Sequence, residues 1–284
     1  MLYSLLQEIA RAPAHSPPVH SGPKSTPHLV FTFLTGPKAV ESNHNSGSDT
    51  INGGILKLPP LLRGAFVTRH NRFLATVSVD GQEVKTHVPS PGRMYELLTP
   101  ERDVWITRVD KPTRKTSYDL VLVRHNSQLV SVDSRLPNAL FREALDDDLP
   151  LGAGYDVVEQ EVIRDHSRLD FCLRGSEGTL WVEVKSVNLV EDGLALFPDA
   201  PTARGRRHLE TLAAIAASGD RAAAAFVVQR SDAVAFAPHE EMDPAFADIL
   251  YRVARSGVTV RAYTCHVELE EIRIAGRIPF HKQR

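Results

Sequence analysis

The sequence predicts a mixed α/β protein, α+β overall, in which a small β-barrel precedes a mixed-sheet α/β domain. Five or six short strand-like runs follow one another between residues 63 and 132. From residue 136 onwards strand-like and helical runs alternate, which favours an α/β sheet. The charge changes at the same point, because residues 56–132 hold 12 basic and 7 acidic residues and residues 133–284 hold 18 and 25.

The composition excludes several classes of protein. The chain has 284 residues, of which 42% are hydrophobic, and no uninterrupted apolar run approaches the roughly 18 residues of a membrane span. Its two cysteines exclude a disulfide scaffold and a cysteine-based zinc cluster. We therefore expect a cytoplasmic protein that does not enter a membrane.

Residues 1–55 are rich in Pro, Ser, Gly, His and Asn and show neither helical nor strand periodicity. Such composition indicates a disordered N-terminal extension. A start codon set too far upstream is one hypothesis for it.

The barrel is predicted from residue 56. Asp80–Gly81 lies between the runs at 72–79 and 83–88, which is typical of a β-hairpin. Residues 92–98 read as one or two helical turns between strands. Short strands with one brief helix fit a small barrel such as an OB-fold, and any small β-sandwich fits equally well.

The second domain begins with a helix and ends with a strand. Asp243 and Pro244 form a helix start, and Gly257 follows the end of that helix. The predicted order is a helix at 136–146, a link at 147–153, a strand at 155–163, a hairpin at 167–187, a helix at 202–217, a strand at 224–229, a helix at 243–255 and a strand at 258–264.

The predicted hairpin is the most informative segment, H-S-R-L-D-F-C-L-R-G-S-E-G-T-L-W-V-E-V-K-S-V (166–187). Its turn is expected to centre on Ser176–Glu177. One face is then apolar on both strands, which is the condition that fixes a register. The apolar pairs are Leu173 with Leu180, Phe171 with Val182, and Leu169 with Val184.

The opposite face carries the candidate chemistry. This register places Asp170 directly across from Glu183, with Cβ atoms about 5 Å apart, and two facing carboxylates destabilise a sheet unless a positive charge lies between them. Carboxylate oxygens are the ligands that Mg²⁺ and Mn²⁺ prefer. Lys185 shares this face and could hold a water or neutralise developing charge. Metal-dependent phosphodiester cleavage is one function that this pattern is compatible with.

Other interpretations stay open at this point. Carboxylates on a strand face are commonly only solvated, and a three-residue turn would shift the register. A carboxylate pair at this separation also suits a retaining glycosidase, although that chemistry needs no lysine beside the second acid.

Two further segments could complete the site. In F-P-D-A-P-T-A-R-G-R-R-H-L (197–209), Thr202 can cap a helix, and Arg204 and His208 are four positions apart and share a helical face. Such a basic pair could bind phosphates. Glu143, in the helix at 136–146, could add a carboxylate.

These segments resemble the SfsA family, named for sugar fermentation stimulation. The resemblance covers roughly residues 56–280. It rests on P-G-R-M-Y-E-L-L (91–98), L-P-N-A-L-F-R-E-A-L (136–145), S-R-L-D-F (167–171), V-E-V-K-S-V (182–187), the segment at 197–209, and V-V-Q-R (227–230).

The resemblance implies a DNA-binding protein with an OB-fold at 56–133 and a PD-(D/E)XK nuclease-like domain at 134–280. The family's motif positions fall on Asp170, Glu183 and Lys185. Glu143 matches the acidic residue of the helix that opens such domains. Arg204 and His208 match the R-G-x-x-H-L segment.

The resulting prediction is a nuclease that hydrolyses DNA or RNA with Mg²⁺ or Mn²⁺ held by Asp170 and Glu183. The barrel would contact phosphates and stack bases on Phe66, Phe73 or Trp105. The alternative is a non-catalytic DNA-binding regulator linked to sugar (maltose) metabolism. The intact Asp, Glu and Lys count against that alternative.

Overall fold

The computed structural model describes residues 50–146, 151–164 and 167–281 of the chain. Its first strand, β1 (Thr50–Lys57), pairs antiparallel with the strand at Glu271–Ile278. The expected disorder of residues 1–55 is therefore wrong for 50–55, and residues 1–49 lie outside the described residues. Two adjacent glycines weaken the strand signal of β1, and its partner lies at the other end of the chain.

The barrel follows β1. Its strands are β2 (Leu62–Asn71), β3 (Leu74–Val79), β4 (Gln82–His87), β5 (Asp103–Arg108), β6 (Tyr118–His125) and β7 (Gln128–Ser131). They form one sheet in the order β4-β3-β2-β5-β6-β7, and a short parallel pairing of β4 with β6 closes the barrel. Alternate residues fill its interior, among them Phe66, Val77 and Leu120. The predicted barrel is confirmed.

The helical turns expected at 92–98 are reduced to one turn. The N–H of Leu98 donates to the carbonyl of Met94 at 2.9 Å, and the turn is not continued. Met94 itself has a φ of 51°, which a helix does not accept. The backbone here is held by contacts with other segments, described below.

The second domain is built on a seven-stranded mixed sheet in the order β1-β16-β15-β13-β10-β9-β8, beside a three-stranded sheet in the order β11-β12-β14. Its elements are α1 (Leu136–Asp146), β8 (Tyr155–Arg164), β9 (Ser167–Gly175), β10 (Gly178–Val187), β11 (Leu189–Glu191), β12 (Leu194–Phe197), α2 (Ala203–Ala217), β13 (Arg221–Val228), β14 (Ala235–Pro238), α3 (Pro244–Arg255), β15 (Thr259–Val267) and β16 (Glu271–Ile278).

Helices cover both faces of the large sheet. Leu209 of α2 and Leu250 of α3 pack in one apolar cluster with Phe226 of β13. Phe141 of α1 packs in the other cluster with Val182 of β10. Within the described residues, none of the helices has the length and apolar character needed to traverse a bilayer.

The predicted hairpin register is confirmed as far as the pair Phe171–Val182. The β9–β10 ladder ends there, so the expected backbone pairs Asp170–Glu183 and Leu169–Val184 are wrong. A side chain takes the place of the backbone, because the Asp170 carboxylate accepts the Val184 N–H at 2.7 Å. Leu169 correspondingly packs in the cluster of α2 and α3, not with Phe171.

A buried polar network joins the barrel to the second domain. The N–H of Ser131, at the end of β7, donates to the carbonyl of Gln229 at 3.0 Å, and its hydroxyl donates to the Gln229 side-chain oxygen at 2.9 Å. The Gln229 amide then donates to the hydroxyl of Ser186 at 3.0 Å. Because Gln229 is fully buried, these bonds fix the orientation of β7 on the sheet.

A second contact between the barrel and the second domain lies around Asp119 on β6. This buried carboxylate accepts from Arg114 at 2.5 Å and from Arg135, just before α1, at 2.8 Å. Burial acts to raise the pKa of Asp119, but the hydrogen bonds and charges of the two guanidinium groups outweigh it, and the net pKa is lowered.

We expect Asp119→Ala to lower the free energy of unfolding by about 2–3 kcal/mol, because it leaves Arg114 without its buried partner and removes one of the two carboxylates that accept from Arg135. A carboxylate with a lowered pKa stabilises the fold above its unfolded-state pKa of about 3.9 and loses that contribution as the pH falls through the folded value. The difference between wild type and variant should therefore shrink below about pH 4. Urea denaturation followed by circular dichroism, between pH 7 and pH 3, measures both effects.

The matched control is Asp110→Ala, which removes an exposed ion pair with Arg108. Its effect should stay within about 0.5 kcal/mol. If Asp119→Ala lowers the free energy of unfolding no more than the control does, Asp119 does not stabilise the contact between the two domains.

Candidate active site

The site lies where the β9–β10 ladder ends. Asp170 is held by two donors, because its Oδ1 accepts from the amide of Asn138 at 2.8 Å and its Oδ2 accepts from the N–H of Val184 at 2.7 Å. Asn138 lies in the first turn of α1. The carboxylate is therefore fixed between a helix and the neighbouring strand.

Glu183 is the most buried acid of the site, with 3% exposure. Its Oε1 accepts hydrogen bonds from Lys185 on the same strand and from Nδ1 of His208 on α2. Its Oε2 is buried and has no hydrogen-bond partner among the described residues. A buried carboxylate oxygen without a donor is costly, so this atom needs a cation or a bound polar group.

His208 positions Glu183. Arg204 Nε lies 3.3 Å from His208 Nε2 and donates to it, which leaves the ring proton on Nδ1, where it faces Glu183. The tautomer follows from this hydrogen-bond network. His208 is only 4% exposed, so its expected contact with a phosphate does not fit the structure, whereas the exposed Arg204 does face the cavity.

The start of α2 is fixed by two caps. The Thr202 hydroxyl accepts the N–H of Gly205 at 3.0 Å, and Asp243, the N-cap of α3, accepts the N–H of Thr202 at 2.8 Å. Asp243 also accepts from Arg206 at 2.7 Å, so that guanidinium is already paired. These bonds place Arg204 and His208 one turn apart beside β10.

The two carboxylates differ in their proton affinity. Burial, and then the charge of Glu183, raises the pKa of Asp170. Burial acts in the same direction on Glu183, but the charge of Lys185 and the hydrogen bond from His208 outweigh it and lower the pKa of Glu183. The two acids repel each other, and a divalent cation between them would relieve that repulsion.

A cavity of about 600 Å³ opens over these residues and is lined from both domains. The second domain contributes Asn138, Asp170, Glu183, Lys185 and Arg204, among others. The barrel contributes Arg72, Ser90, Pro91 and Gly92. A substrate in this cavity would touch both domains.

Asp199 fixes the barrel segment over the cavity. Its Oδ2 accepts the N–H of Met94 at 2.7 Å. A Cβ atom at Gly92 would lie 2.9 Å from the same oxygen, so a side chain at that position would crowd the contact. Burial raises the pKa of Asp199, while the bonds from Met94 and Arg93 act against that rise.

The structure does not bring Glu143 into the site, contrary to the expectation. It is exposed and does not line the cavity. It follows Asn138 by five positions, which places it about 140° further around the helix. Asn138 is the residue of α1 that contacts Asp170, and sequence reasoning missed it because an amide is a weaker signal of a metal or catalytic site than an acid.

Two of the three aromatic residues expected to stack on bases are in the core. Phe66 is 2% exposed and Trp105 is 5% exposed, so neither ring is accessible to a ligand. Phe73 is 47% exposed, and Tyr95, which the sequence analysis did not single out, is 76% exposed.

The fold and the site define a class of protein. It is a two-domain protein in which an OB-like barrel and a mixed-sheet α/β domain share one cavity, with an Asp–Glu–Lys set on the sheet and a basic helix beside it.

The comparisons identify the family. The chain matches the Sugar fermentation stimulation protein RE domain over residues 135–271 and the SfsA N-terminal OB domain over residues 67–132. It therefore belongs to the SfsA family, which confirms the resemblance found in the sequence.

Similar proteins cover most of the chain. The sugar fermentation stimulation protein homolog of Moorella thermoacetica is 45% identical over 218 residues, which are 75% of this chain and 94% of that protein. The homolog of Desulforamulus reducens is 41% identical over 239 residues, with coverages of 84% and 97%. The structure of Pyrococcus furiosus SfsA in complex with Ca²⁺ aligns with a TM-score of 0.74 and 30% identity, covering 80% of this chain and 98% of that one.

We expect Asp199→Ala to release the backbone of residues 92–98, because the Met94 N–H loses its acceptor. Hydrogen exchange measured by mass spectrometry should show amides of that segment exchanging about tenfold faster. Asp192→Ala removes an exposed acid from a turn of the same domain and should leave the segment unchanged. Equal exchange in wild type and Asp199→Ala would show that Asp199 does not hold it.

Proposed function

We propose that the protein is a divalent-metal-dependent nuclease that hydrolyses phosphodiester bonds of DNA or RNA. The observation that carries the proposal is the buried Oε2 of Glu183, which lacks a donor beside a second carboxylate and a lysine. Such an arrangement is suited to a cation and to a phosphate, both of which would enter from the cavity.

Asp170 and Glu183 would hold the metal, and Mg²⁺ or Mn²⁺ fits their oxygen donors. Among the described residues no group of three or more His, Cys, Asp or Glu side chains is gathered for a metal. That agrees with Mg²⁺, which commonly binds through one or two carboxylates and completes its shell with waters and substrate phosphate. The relative from Pyrococcus furiosus was solved with Ca²⁺, another oxygen-seeking divalent cation.

When bound, the metal would neutralise charge on the phosphoryl group and lower the pKa of a water. The chain's own residues supply the remaining parts. The Lys185 ammonium lines the cavity and would stabilise the negative charge that develops as water adds to phosphorus and the P–O bond to the leaving oxygen breaks. Arg204 would bind the phosphate, and His208 would keep Glu183 in place.

Nucleic acid as the substrate class is supported by the barrel. Residues 67–132 match the OB domain of the family, and OB-folds commonly bind oligonucleotides. The chain is basic between residues 56 and 132, which favours contact with a phosphate backbone. We place this reaction in the cytoplasm, as expected from the sequence.

We expect wild type to cut labelled single- or double-stranded DNA or RNA in Mg²⁺ or Mn²⁺ and not in EDTA. Asp170→Ala and Glu183→Gln should each lower the rate by about 100-fold or more, because each removes a proposed metal ligand. Lys185→Ala should lower it by about 100- to 1,000-fold without weakening nucleic-acid binding. Denaturing gels measure the cleavage rates, and calorimetric titration with Mn²⁺ measures the affinity for the metal.

The matched control is Glu210→Gln, which removes an exposed carboxylate from α2 outside the cavity and should cut as wild type does. The variant Glu143→Gln tests separately whether Glu143 contributes to cleavage. Binding of nucleic acid without cleavage in any metal would overturn the nuclease and leave the alternative, a DNA-binding regulator.

A further inference from the structure

Two exposed aromatic side chains lie on neighbouring segments of the barrel, beside the cavity. Phe73 is in the turn between β2 and β3, and Tyr95 is in the segment that Asp199 holds. They belong to a surface that we call the rim patch, which consists of Arg72, Phe73, His87, Arg93 and Tyr95.

Arg69 joins the two segments of the rim patch. Its Nη1 donates to the carbonyl of Arg93 at 2.6 Å, and its Nη2 donates to the carbonyl of Arg72 at 2.6 Å. The Tyr95 phenol lies within electrostatic reach of the same guanidinium. The backbones of the two segments are therefore held close together.

Phe73 is oriented by β4. Its ring stacks on His87 with 6.2 Å between centroids and 27° between planes. The carbonyl of Phe73 accepts the N–H of Val88 at 3.0 Å, and His87 Nδ1 lies 3.1 Å from that carbonyl. With 47% of the residue exposed, a second aromatic ring has room to stack on Phe73.

The rim patch is continuous with the cavity. Arg72 lines the cavity and is adjacent to Phe73 in the chain, and Gly92 lines it and is adjacent to Arg93. Arg72 and Arg93 are both exposed cations. Exposed aromatic rings between cations at the mouth of a cavity are typical of a surface that stacks bases and binds phosphates.

We propose that the rim patch binds single-stranded nucleic acid and leads it into the cavity. Bases would stack on Phe73 and Tyr95 while phosphates contact Arg72 and Arg93. The strand must be single because base pairing and stacking in a duplex bury the base faces that these rings would contact. The proposal rests on the proposed function, since it names the substrate class of the same site.

The test compares binding to single and double strands in EDTA, where no metal-dependent cleavage occurs. The probes are fluorescein-labelled (dT)15, (U)15 and a 15-base-pair DNA duplex, measured by fluorescence anisotropy with the full chain. Base stacking contributes about 1–3 kcal/mol per base. The double variant Phe73→Ala/Tyr95→Ala should therefore bind the preferred single strand at least about 30-fold more weakly and change duplex binding less than threefold.

The control is Ile163→Ala/Val234→Ala, which removes two similarly exposed apolar side chains far from the rim patch in sequence. It should bind like wild type. Urea denaturation of both double variants shows whether the fold is intact, and Phe73→Trp/Tyr95→Trp should retain single-strand binding because the rings are kept.

Unchanged single-strand binding in the alanine double variant would overturn the proposal, and so would an equal loss for single and double strands. The outcome is separable from that of the nuclease. Single-strand binding that depends on Phe73 and Tyr95 supports the rim patch even if wild type cuts nothing. Metal-dependent cleavage with normal single-strand binding by the alanine variant supports the nuclease and overturns the rim patch.

Discussion

The site depends on the burial of one carboxylate, that of Glu183. A charged group with 3% exposure is stable only when donors compensate its lost hydration. Lys185 supplies one donor from the same strand, and His208 supplies the other from α2. Because both bond to Oε1, Oε2 is left for whatever enters the cavity. The placement of α2 against β10 is therefore a condition for the proposed chemistry as well as for the core.

A single segment connects this interaction to the barrel. Between Phe197 and His208, Asp199 binds the barrel backbone, Thr202 caps α2, and Arg204 and His208 extend to the cavity and to Glu183. The same twelve residues thus help to position two things. One is the barrel segment that lines the cavity, and the other is the buried carboxylate of Glu183. This stretch therefore links one contact between the domains to two of the residues that surround Glu183.

Features that depend on the local alternation of apolar and polar residues could be predicted from the sequence. Features that depend on partners distant in the sequence could not. The hairpin pairs up to Phe171–Val182 followed from apolar residues on one face, whereas the break at Asp170 depends on a side chain that takes a strand amide. The spacing of Arg204 and His208 correctly placed them on one helical face. Residue spacing does not show that His208, on this face, contacts Glu183. Strand β1 was not predicted because it is a strand only through its pairing with the distant strand β16.

The break in the ladder changes the hydrogen-bond donors that reach the two neighbouring acids. Paired directly, Asp170 and Glu183 would face each other at about 5 Å. By leaving the ladder, Asp170 gains the Val184 and Asn138 donors, and Glu183 keeps Lys185 and His208. The pKa of Asp170 is still raised by burial and by Glu183, so part of the repulsion persists. A divalent cation, which we propose for this site, would relieve that repulsion.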